Sequence, residues 1–316
     1  MHTVLAGDIG GTKTRLAIAE VSGSRVNLLS EGSFQSRDFS SFDSLLGEFL
    51  SGKKAPFSAA FGVAGPVEGR IVDVTNLPWR IHADELVRRY GFASCTLLND
   101  LEATACGLPA LREDDLLTLQ DGIADAVGNA AVIAPGTGLG EAGLFWDGKA
   151  HRPFATEGGH ASFSPENELE MYLLKHLKAR YAHVSWERLV SGEGLVNIYD
   201  FLRMNLPGSP MRDAAAISQA ALEGNDATCV KALECFVKLL GAEAGNLALK
   251  VMSRAGLYVG GGIAPKILPA LASGAFLEAF LDKGRMRHLL EAMPVKVILN
   301  DRAALYGPAL RAGEMR

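Results

Sequence analysis

The sequence predicts an α/β protein of about two domains, and three observations support this fold class. The chain has 316 residues, which corresponds to about two domains at roughly 150 residues per domain. Short apolar runs typical of strands alternate with longer segments of helical periodicity. Three of the apolar runs end in glycine-rich turns, at residues 10–11, 136–140 and 260–262.

The first part of the chain predicts a hairpin, two further strands and a helix. Apolar residues 4–6 and 16–19 flank the sequence Asp-Ile-Gly-Gly-Thr-Lys-Thr at 8–14, a pattern that predicts a β-hairpin. Residues 58–63 and 96–98 predict two strands. A helix is predicted over residues 101–108, with an acidic residue in its first turn that suits the helix dipole.

A second hairpin is predicted around the sequence Pro-Gly-Thr-Gly-Leu-Gly at 135–140, between strands at 130–134 and 142–146. The order strand, glycine turn, strand therefore occurs twice in the chain. This repetition suggests an ancient duplication with little remaining sequence similarity between the halves.

The remaining elements are predicted to be mainly helical. Ser164 precedes a proline and a glutamate, which predicts that it caps a helix. Apolar spacing predicts a long helix over residues 226–251, interrupted near Gly241 or Gly245. A strand at 257–259 leads through Gly-Gly-Gly into another helix, and residues 302–310 predict a closing helix.

Composition excludes several classes of protein. The formal net charge is −5, which argues against affinity that depends on covering nucleic-acid phosphates. The four cysteines form no CxxC or CxC pair, so a cysteine-rich zinc site is not expected. No apolar stretch is long enough to span a membrane, and residues 1–8 do not have the pattern of a signal peptide. We therefore expect a cytoplasmic protein.

The three glycine loops indicate phosphate binding, although each could be only a tight turn. Glycine lets successive backbone N–H groups approach an anion closely. The Walker pattern fails because Thr12, not glycine, precedes Lys13. The pattern G-x-G-x-x-G does occur at 138–143, but a strand is predicted after it where a dinucleotide site needs a helix. We therefore treat that match as accidental.

Two aspartates follow predicted strands. Asp8 precedes the first glycine turn, where a carboxylate beside nucleotide phosphates can hold magnesium directly or through water; it could also only cap the turn. Asp100 follows Asn99 at a strand end, where open α/β sheets bind ligands. It could accept a proton from an attacking hydroxyl, but the local sequence favours a cap for the next helix.

A polar cluster is predicted at Glu157 and His160, which two glycines separate. Carboxylate and imidazole groups suit the hydroxyls of a sugar. A metal site is the competing interpretation, but one histidine and one carboxylate would not complete a metal shell. Glu187, which follows Trp186, is by local sequence an ordinary surface acid.

Taken together, these motifs resemble the bacterial glucokinase family, in the superfamily of sugar kinases, actin and heat-shock ATPases. The resemblance covers essentially the whole chain. It includes the glycine motif at 8–15, Phe-Gly-Val-Ala-Gly-Pro-Val at 61–67, Asn-Leu-Pro-Trp at 76–79 and Leu-Leu-Asn-Asp-Leu-Glu-Ala at 97–103. It continues through the loop at 135–140, Glu-Gly-Gly-His at 157–160 and Tyr-Val-Gly-Gly-Gly-Ile at 258–263.

The resemblance implies ATP-dependent phosphorylation of D-glucose at its 6-hydroxyl, feeding glycolysis, with magnesium and a general base. It implies that Asp100 is the base and that the sugar is bound by Asn99, Asp100, Glu157, His160 and Glu187. It also implies that ATP is bound by Asp8, Gly10, Gly11, Thr12, Thr14, Gly136, Thr137, Gly138, Gly261 and Gly262. In this assignment Asp8 is the residue associated with Mg²⁺.

The resemblance further implies a two-domain actin-like ATPase (ribonuclease H-like) fold with an interdomain cleft. The small domain would comprise residues 1–110 with 302–316, and the large domain residues 111–301. A homodimer is expected, with no nucleic-acid or membrane partner.

Alternatives stay open. The sequence Gly-Gly-Thr-Lys-Thr also resembles the repressor/open-reading-frame/kinase (ROK) sugar kinases, but the cysteines of their zinc motif are absent after His160, which favours the non-zinc glucokinase group. Another hexose, such as fructose, mannose or an N-acetylhexosamine, could be the substrate. A sugar-sensing regulator is a non-enzymatic alternative, against which the presence of Asp100 argues.

Overall fold

The computed structural model describes residues 3–204, 210–211 and 213–314. Its strands are β1 (Thr3–Ile9), β2 (Lys13–Ser22), β3 (Arg25–Gln35), β4 (Ser58–Val63), β5 (Val67–Glu68), β6 (Ile71–Asp73), β7 (Arg80–His82), β8 (Ser94–Asn99), β9 (Leu116–Gln120), β10 (Ala130–Pro135), β11 (Leu139–Trp146), β12 (His151–Thr156), β13 (Gly256–Val259) and β14 (Val295–Ile298). Its α-helices are α1 (Phe42–Leu50), α2 (Ala83–Tyr90), α3 (Asp100–Gly107), α4 (Glu168–Lys178), α5 (Gly192–Leu202), α6 (Ala214–Leu222), α7 (Ala227–Val251), α8 (Leu268–Leu271), α9 (Ala275–Leu281), α10 (Arg287–Glu291) and α11 (Ala303–Glu314).

The chain divides into two compact units. The first combines Met1–Glu113 with Asn300–Arg316, and the second is Asp114–Leu299. The closing helix α11 therefore belongs to the same unit as the N-terminal strands.

The sheet of the first unit has the strand order β3-β2-β1-β4-β8. The predicted hairpin is confirmed, because β1 and β2 pair antiparallel from Thr3 with Glu20 to Ile9 with Thr14. β4 is parallel to β1, and β8 is parallel to β4. Three short strands, β5 to β7, form a separate small sheet. The parallel register brings the ends of β1, β4 and β8 to one edge of the main sheet.

The core of the first unit has two parts. One lies among β1, β4, α1 and α2 and contains large side chains such as Phe42, Phe61 and Trp79. The other is a smaller cluster of valine and alanine residues where α11 packs on β1 and β4. Small side chains at this second contact allow α11 to approach the sheet closely.

The sheet of the second unit has the order β12-β11-β10-β13-β14-β9. The second predicted hairpin is confirmed as β10 paired antiparallel with β11. β13 and β14 follow in parallel. Its first five strands therefore repeat the arrangement of the first sheet, with three antiparallel strands followed by two parallel ones, as a duplication would leave it.

Two helix predictions are wrong in detail. The helix after the polar turn begins at Glu168 with Asn167 as its cap, so Ser164 does not cap it. The long helix α7 is continuous, so neither Gly241 nor Gly245 interrupts it. Added Cβ atoms at these glycines would overlap the carbonyl oxygen of Phe276 and come within 2.6 Å of that of Phe280. The glycines therefore allow α9 to pack directly on α7.

No single helix in the described part of the chain is long and apolar enough to cross a membrane. The segments 264–271 and 275–281 satisfy that criterion only as a pair, which is bent by 85°. Their residues Leu271, Phe276 and Phe280 are completely buried in the core of the second unit.

Candidate active site

The first glycine turn joins β1 to β2 and has a tightly fixed backbone. The N–H of Gly10 donates to the carbonyl of Lys13 at 3.0 Å, and the Ser36 hydroxyl donates to the carbonyl of Gly10 at 2.7 Å. A Cβ on Gly11 would lie 2.8 Å from the carbonyl oxygen of Thr75, so only glycine fits there. Thr12 is exposed at the tip of the turn. The turn is rigid and presents small residues, as a phosphate-binding loop requires.

Thr14 does not fit the expected phosphate contact. Its side chain is completely buried, and its hydroxyl is 2.9 Å from that of Ser36. The hydroxyl of Thr14 therefore braces the hairpin against the segment after β3, and is not available to a phosphate.

Asp8 is held by an arginine from the neighbouring strand. Arg15 donates to Oδ2 of Asp8 from Nη2 at 3.0 Å and from Nε at 3.3 Å. The same guanidinium donates to Oδ2 of Asp301 at 2.8 Å and to its carbonyl oxygen at 2.6 Å. Burial alone would lower the pKa of Arg15, but the facing carboxylates raise it above its usual value. Arg15 therefore fixes Asp8 and joins the first turn to the start of α11.

Asn99 and Asp100 lie at the same sheet edge as Asp8, because Asp8 pairs with Gly62 and Val63 pairs with Asn99. The expected cap is wrong by one residue. Asn99 caps α3, and its Oδ1 accepts from the N–H groups of Leu101 at 2.9 Å and Glu102 at 3.5 Å.

Asp100 is the first residue of α3, and its Oδ1 accepts from the N–H of Leu101 at 2.9 Å. The carboxylate of Asp100 is thereby oriented at the N-terminus of a helix. Asn99 uses its amide oxygen for capping, which leaves its amide nitrogen as the group for a ligand. Burial raises the pKa of Glu102 in the same first turn, against the opposing effects of the Asn99 backbone and Arg311.

The second glycine loop joins β10 to β11. Its backbone closes on itself, since the N–H of Gly136 donates to the carbonyl of Gly138 at 2.8 Å. The N–H of Gly192, at the start of α5, donates to the carbonyl of Gly136 at 2.9 Å. Thr137 is exposed at the tip. Since β11 follows at Leu139, the match to the dinucleotide pattern is accidental, as predicted.

The third glycine loop follows β13 and lies against the second. The N–H of Ile263 donates to the carbonyl of Pro135 at 3.3 Å. Gly261 has a φ of +79°, and a Cβ at this position would overlap the carbonyl oxygen of Pro135. This position therefore needs glycine. Gly262 is exposed and faces open space. An adenosine could lie along this open backbone.

The polar cluster of the second unit consists of Glu157, His160 and Glu187. Nε2 of His160 is 3.9 Å from Oε2 of Glu157, and its Nδ1 is 3.9 Å from Oε1 of Glu187. The side chains of Glu157 and His160 are 70% and 60% exposed. His160 therefore lies between two carboxylates in a solvent-accessible cluster of groups that suit sugar hydroxyls.

Glu187 connects this cluster to the second glycine loop. It lies on a short 3-10 helix (Trp186–Arg188), and its Oε2 accepts from the N–H of Leu139 at 3.0 Å. A Cβ on Gly138 would overlap the same oxygen. Its side chain is only 24% exposed, so the interpretation of Glu187 as an ordinary surface acid is wrong.

The structure distributes the candidate residues between the two units. Asp8, Asn99 and Asp100 belong to the first unit, together with the first glycine turn. The polar cluster and the other two glycine loops belong to the second. Among the described residues, no group of three or more histidine, cysteine, aspartate or glutamate side chains could hold a metal ion.

Sequence reasoning missed two residues that organise these sites. Arg15 was part of the first motif but had no assigned role. Glu141 had no assigned role either, although it is an acidic residue inside the apolar strand β11 and is only 2% exposed. A lone acid within an apolar alternation is the signal that could have identified it, because such residues are rarely buried without a partner.

Comparison with known proteins identifies relatives over nearly the whole chain. A family model described as glucokinase matches residues 5–315. The glucokinase of Nostoc sp. strain PCC 7120 is 41% identical over 342 aligned positions, which cover 100% of both chains. A crystal structure of glucokinase from an Antarctic psychrotroph has a TM-score of 0.90 at 31% identity and covers 99% of each chain. A ROK family glucokinase from Streptomyces griseus shares the fold at a TM-score of 0.66 and 22% identity, with 99% of each chain covered.

Proposed function

The chain belongs to the glucokinase family, and from that premise we propose that it transfers the γ-phosphoryl group of ATP to the 6-hydroxyl of D-glucose. The observation that carries this proposal is the position of Glu187. One carboxylate contacts both the second glycine loop and His160, so a site for phosphate and a site for hydroxyls share a residue. Transfer between a nucleotide and a sugar needs these two sites side by side.

Asp100 is the proposed general base. A hydroxyl that attacks phosphorus must lose its proton, and an oriented carboxylate can accept it. The hydrogen bond from Leu101 to Oδ1 of Asp100 fixes that carboxylate on α3. This carboxylate is the proposed acceptor of the 6-hydroxyl proton.

The proposed sugar contacts are Asn99, Glu157, His160 and Glu187. Carboxylates accept hydrogen bonds from hydroxyls, whereas the amide nitrogen of Asn99 donates to their oxygens. His160 can donate or accept, depending on its tautomer. Such a set fixes the orientation of a polyhydroxylated ring, which positions one hydroxyl for reaction.

The proposed nucleotide contacts are the three glycine loops. Gly10, Gly11, Thr12, Gly136, Thr137 and Gly138 would surround the phosphates, and Gly261 and Gly262 would lie along the adenosine. The N–H groups of Gly10 and Gly136 close their own turns, so those of Gly11, Thr12, Thr137 and Gly138 are the proposed phosphate donors. Backbone N–H groups supply positive partial charge where anionic oxygens accumulate. We also propose that the fold is the actin-like, ribonuclease H-like one. The identical order of three antiparallel and two parallel strands in both sheets supports this assignment.

Magnesium fits this site as an ion that arrives with ATP. Asp8 is a single carboxylate whose Oδ2 already accepts two hydrogen bonds from Arg15, so it suits a contact through water more than a resident metal site. Bound magnesium would neutralise charge that develops on the phosphates. Arg15 would hold Asp8 in position for that contact.

A homodimer in the cytoplasm is the proposed state of the protein. Three apolar side chains at the start of α4, those of Leu169, Met171 and Tyr172, are 39%, 57% and 56% exposed, and a partner subunit would cover such a surface. Light scattering of the purified protein measures the oligomeric state directly, and a monomer at all concentrations would contradict it.

The function is tested by a coupled assay with glucose, other hexoses and ATP, on the wild type and on Asp100→Asn. The variant keeps the shape of Asp100 but cannot accept the proton, so turnover should fall by about 10²–10⁴-fold. Glucose binding, measured by calorimetry, should change by less than about threefold because the amide keeps most hydrogen bonds.

Asp84→Asn is the matched control, since Asp84 is a 60% exposed surface residue paired with Arg70. It should leave turnover unchanged. Near-normal turnover in Asp100→Asn would refute the role of Asp100. A stronger response to another hexose than to glucose would refute the assigned substrate.

A further inference from the structure

Two buried carboxyl groups meet beneath the polar turn of the second unit. Glu141 lies on β11 and is 2% exposed, and Glu243 lies on α7 and is 0% exposed. Glu243 is close enough to Glu141 for its charge and a hydrogen bond between the two to raise the pKa of Glu141. Two ionised carboxylates in contact inside a protein repel strongly, so one of them holds a proton at neutral pH.

The neighbouring donors assign that proton to Glu141. Nδ2 of Asn246 donates to Oε2 of Glu243 at 2.8 Å, and Nζ of Lys250 donates to its Oε1 at 3.4 Å. In contrast, Oε1 of Glu141 is buried and has no hydrogen-bond partner among the described residues. Donors that converge on a carboxylate stabilise its ionised form. Glu243 is therefore the anion, and Glu141 is the acid that donates to it.

The carboxyl group of Glu141 also supports the turn between Glu157 and His160. A Cβ on Gly158 would overlap Oε2 of Glu141, so the backbone of the turn lies directly on that oxygen. The Thr156 hydroxyl donates to the carbonyl of Glu141 at 3.0 Å and accepts from the N–H of Gly158 at 3.2 Å. A displacement of the carboxyl group must therefore displace the turn.

We propose that Glu141 is a positioning residue for the sugar: its protonated side chain, hydrogen-bonded to Glu243, holds the 157–160 turn in the geometry that binds glucose. This inference rests on the proposed function, since it takes Glu157 and His160 as sugar contacts. Loss of the proton leaves two anions in contact. Repulsion then drives the carboxylate of Glu141 against Gly158 and moves both sugar contacts.

The titration of Glu141 and Glu243 sets the pH at which the turn is displaced. Burial raises the pKa of Glu141 to about 8, the charge of Glu243 adds to the effect, and Lys250 opposes it. Burial raises the pKa of Glu243 as well, while Asn246 and Lys250 lower it.

Lys250 is the other charged side chain that affects both pKa values. β12 and the turn contribute Thr156 and Gly158, which do not titrate. Glu157 and His160 at the ends of the turn are 70% and 60% exposed, so solvent screens them. The geometry therefore holds at neutral pH and is lost as the pH rises above about 8.

The first experiment measures the proton itself, in protein without ligands. The carboxyl carbons of isotopically labelled glutamate are followed by NMR across the alkaline range in the wild type, Glu141→Gln and Glu243→Gln. One carboxyl group should titrate near pH 8 in the wild type and be missing in Glu141→Gln. In Glu243→Gln it should titrate at lower pH, because the neighbouring charge is gone and Lys250 remains. A wild type without such a carboxyl group would overturn the proposal.

The second experiment measures glucose dissociation constants by calorimetry over the same pH range. In the wild type the Kd should rise by up to about tenfold per pH unit above the titration midpoint. Glu141→Gln, which is neutral at every pH, should bind with a nearly constant Kd. Glu234→Gln is the control, since Glu234 lies on the same helix but its side chain is 43% exposed and paired with Lys231, and it should behave as the wild type.

Two outcomes of the second experiment would overturn the positioning role. One is a wild-type Kd that does not change with pH, and the other is an alkaline rise that persists in Glu141→Gln. A residue that only stabilised the fold would change melting temperature without abolishing that rise. If glucose is neither bound nor phosphorylated at any pH, the proposed function fails, whereas the NMR titration still decides whether the pair shares a proton.

Discussion

Replacing either glycine of the 157–160 turn by alanine should lower both stability and activity. The two variants should differ in whether shortening Glu141 restores them. In Gly159→Ala the new Cβ overlaps the carbonyl oxygen of Leu139, which is backbone of β11 and cannot swing aside. In Gly158→Ala it overlaps the end of the Glu141 side chain. The first collision cannot be relieved by any side-chain change, whereas the second disappears if Glu141 is shortened.

The size of the effect follows from the overlap. Carbon and oxygen need more than 3.0 Å, so each variant must lift the turn by about 1 Å, a displacement of the kind that costs about 10²-fold in kcat/KM. Overpacking of this kind also costs about 1–3 kcal/mol of unfolding free energy. Glu141→Ala should restore about 0.5–3 kcal/mol in the Gly158→Ala background, as coupling between touching residues does.

The assay is urea denaturation of the two glycine variants, Glu141→Ala and both double variants, together with glucose kinetics for each. The double variant of Glu141→Ala with Gly158→Ala should be more stable than the sum of the two single effects predicts. The effects of Glu141→Ala and Gly159→Ala on the unfolding free energy should simply add. Gly47→Ala is the control, because its Cβ meets only the Tyr90 hydroxyl at an ordinary 3.5 Å, and it should stabilise α1 by about 0.5–1 kcal/mol. Equal rescue of both glycine variants, or no loss in either, would refute the packing scheme.

Replacing Arg15 by Lys removes the planar fork that fixes Asp8 and should raise the KM for ATP with magnesium about tenfold, with the glucose KM unchanged in steady-state kinetics. The raised pKa of Glu141 means that the folded chain binds a proton that the unfolded chain has lost. The contribution of Glu141 to the unfolding free energy should therefore be greatest below about pH 4.5 and fall by up to about 1.4 kcal/mol per pH unit until about pH 8. Glu141→Gln should remove that slope in denaturant titrations at stepped pH. Asp226→Ala removes the N-cap of α7 and should cost about 1 kcal/mol in the same measurement, whereas unchanged stability would contradict the capping role.

Most of the strands that the sequence predicted correctly adjoin a glycine turn or lie in the centre of a sheet, whereas β8 is an edge strand that ends at Asn99. β4 runs over the predicted residues, and its six residues are all buried, so its apolar run is uninterrupted. β3 was missed because it is an edge strand in which no residue is fully buried, and its hydrophobic alternation is therefore weak. Likewise, Ser164 looked like a helix cap because the local sequence could not show that Asn167 satisfies the N–H of Glu170.

The candidate site was predictable where a motif is contiguous in sequence. Asp8 and the first glycine turn are adjacent, as are Asn99 and Asp100, so local chemistry identified them. Glu187 contacts a loop 48 residues earlier in the chain, and only the family resemblance could select it from other surface acids. Glu141 was missed because its partner comes from α7, about a hundred residues later, and no local pattern encodes that contact.

The suggested duplication has a second sign beyond the glycine hairpins. Leu-Asn-Asp occurs at 98–100 after β8 and again at 299–301 after β14. In both copies the asparagine side chain accepts from the N–H two residues later, at 2.9 Å. The first copy begins α3 with Asp100, the proposed base, and the second precedes α11 with Asp301, which pairs with Arg15.

The helices that follow the two copies pack on one another inside the first unit, and they do so reciprocally. A Cβ on Gly107 of α3 would overlap the carbonyl of Ala303, and a Cβ on Gly307 of α11 would overlap the carbonyl of Ala103. Each helix thus presents an alanine and, four residues later, a glycine to its counterpart, as expected of two related segments that meet about a local two-fold axis. The two segments differ in chemistry, with one aspartate at the proposed site of proton transfer and the other fixing the arginine that holds Asp8.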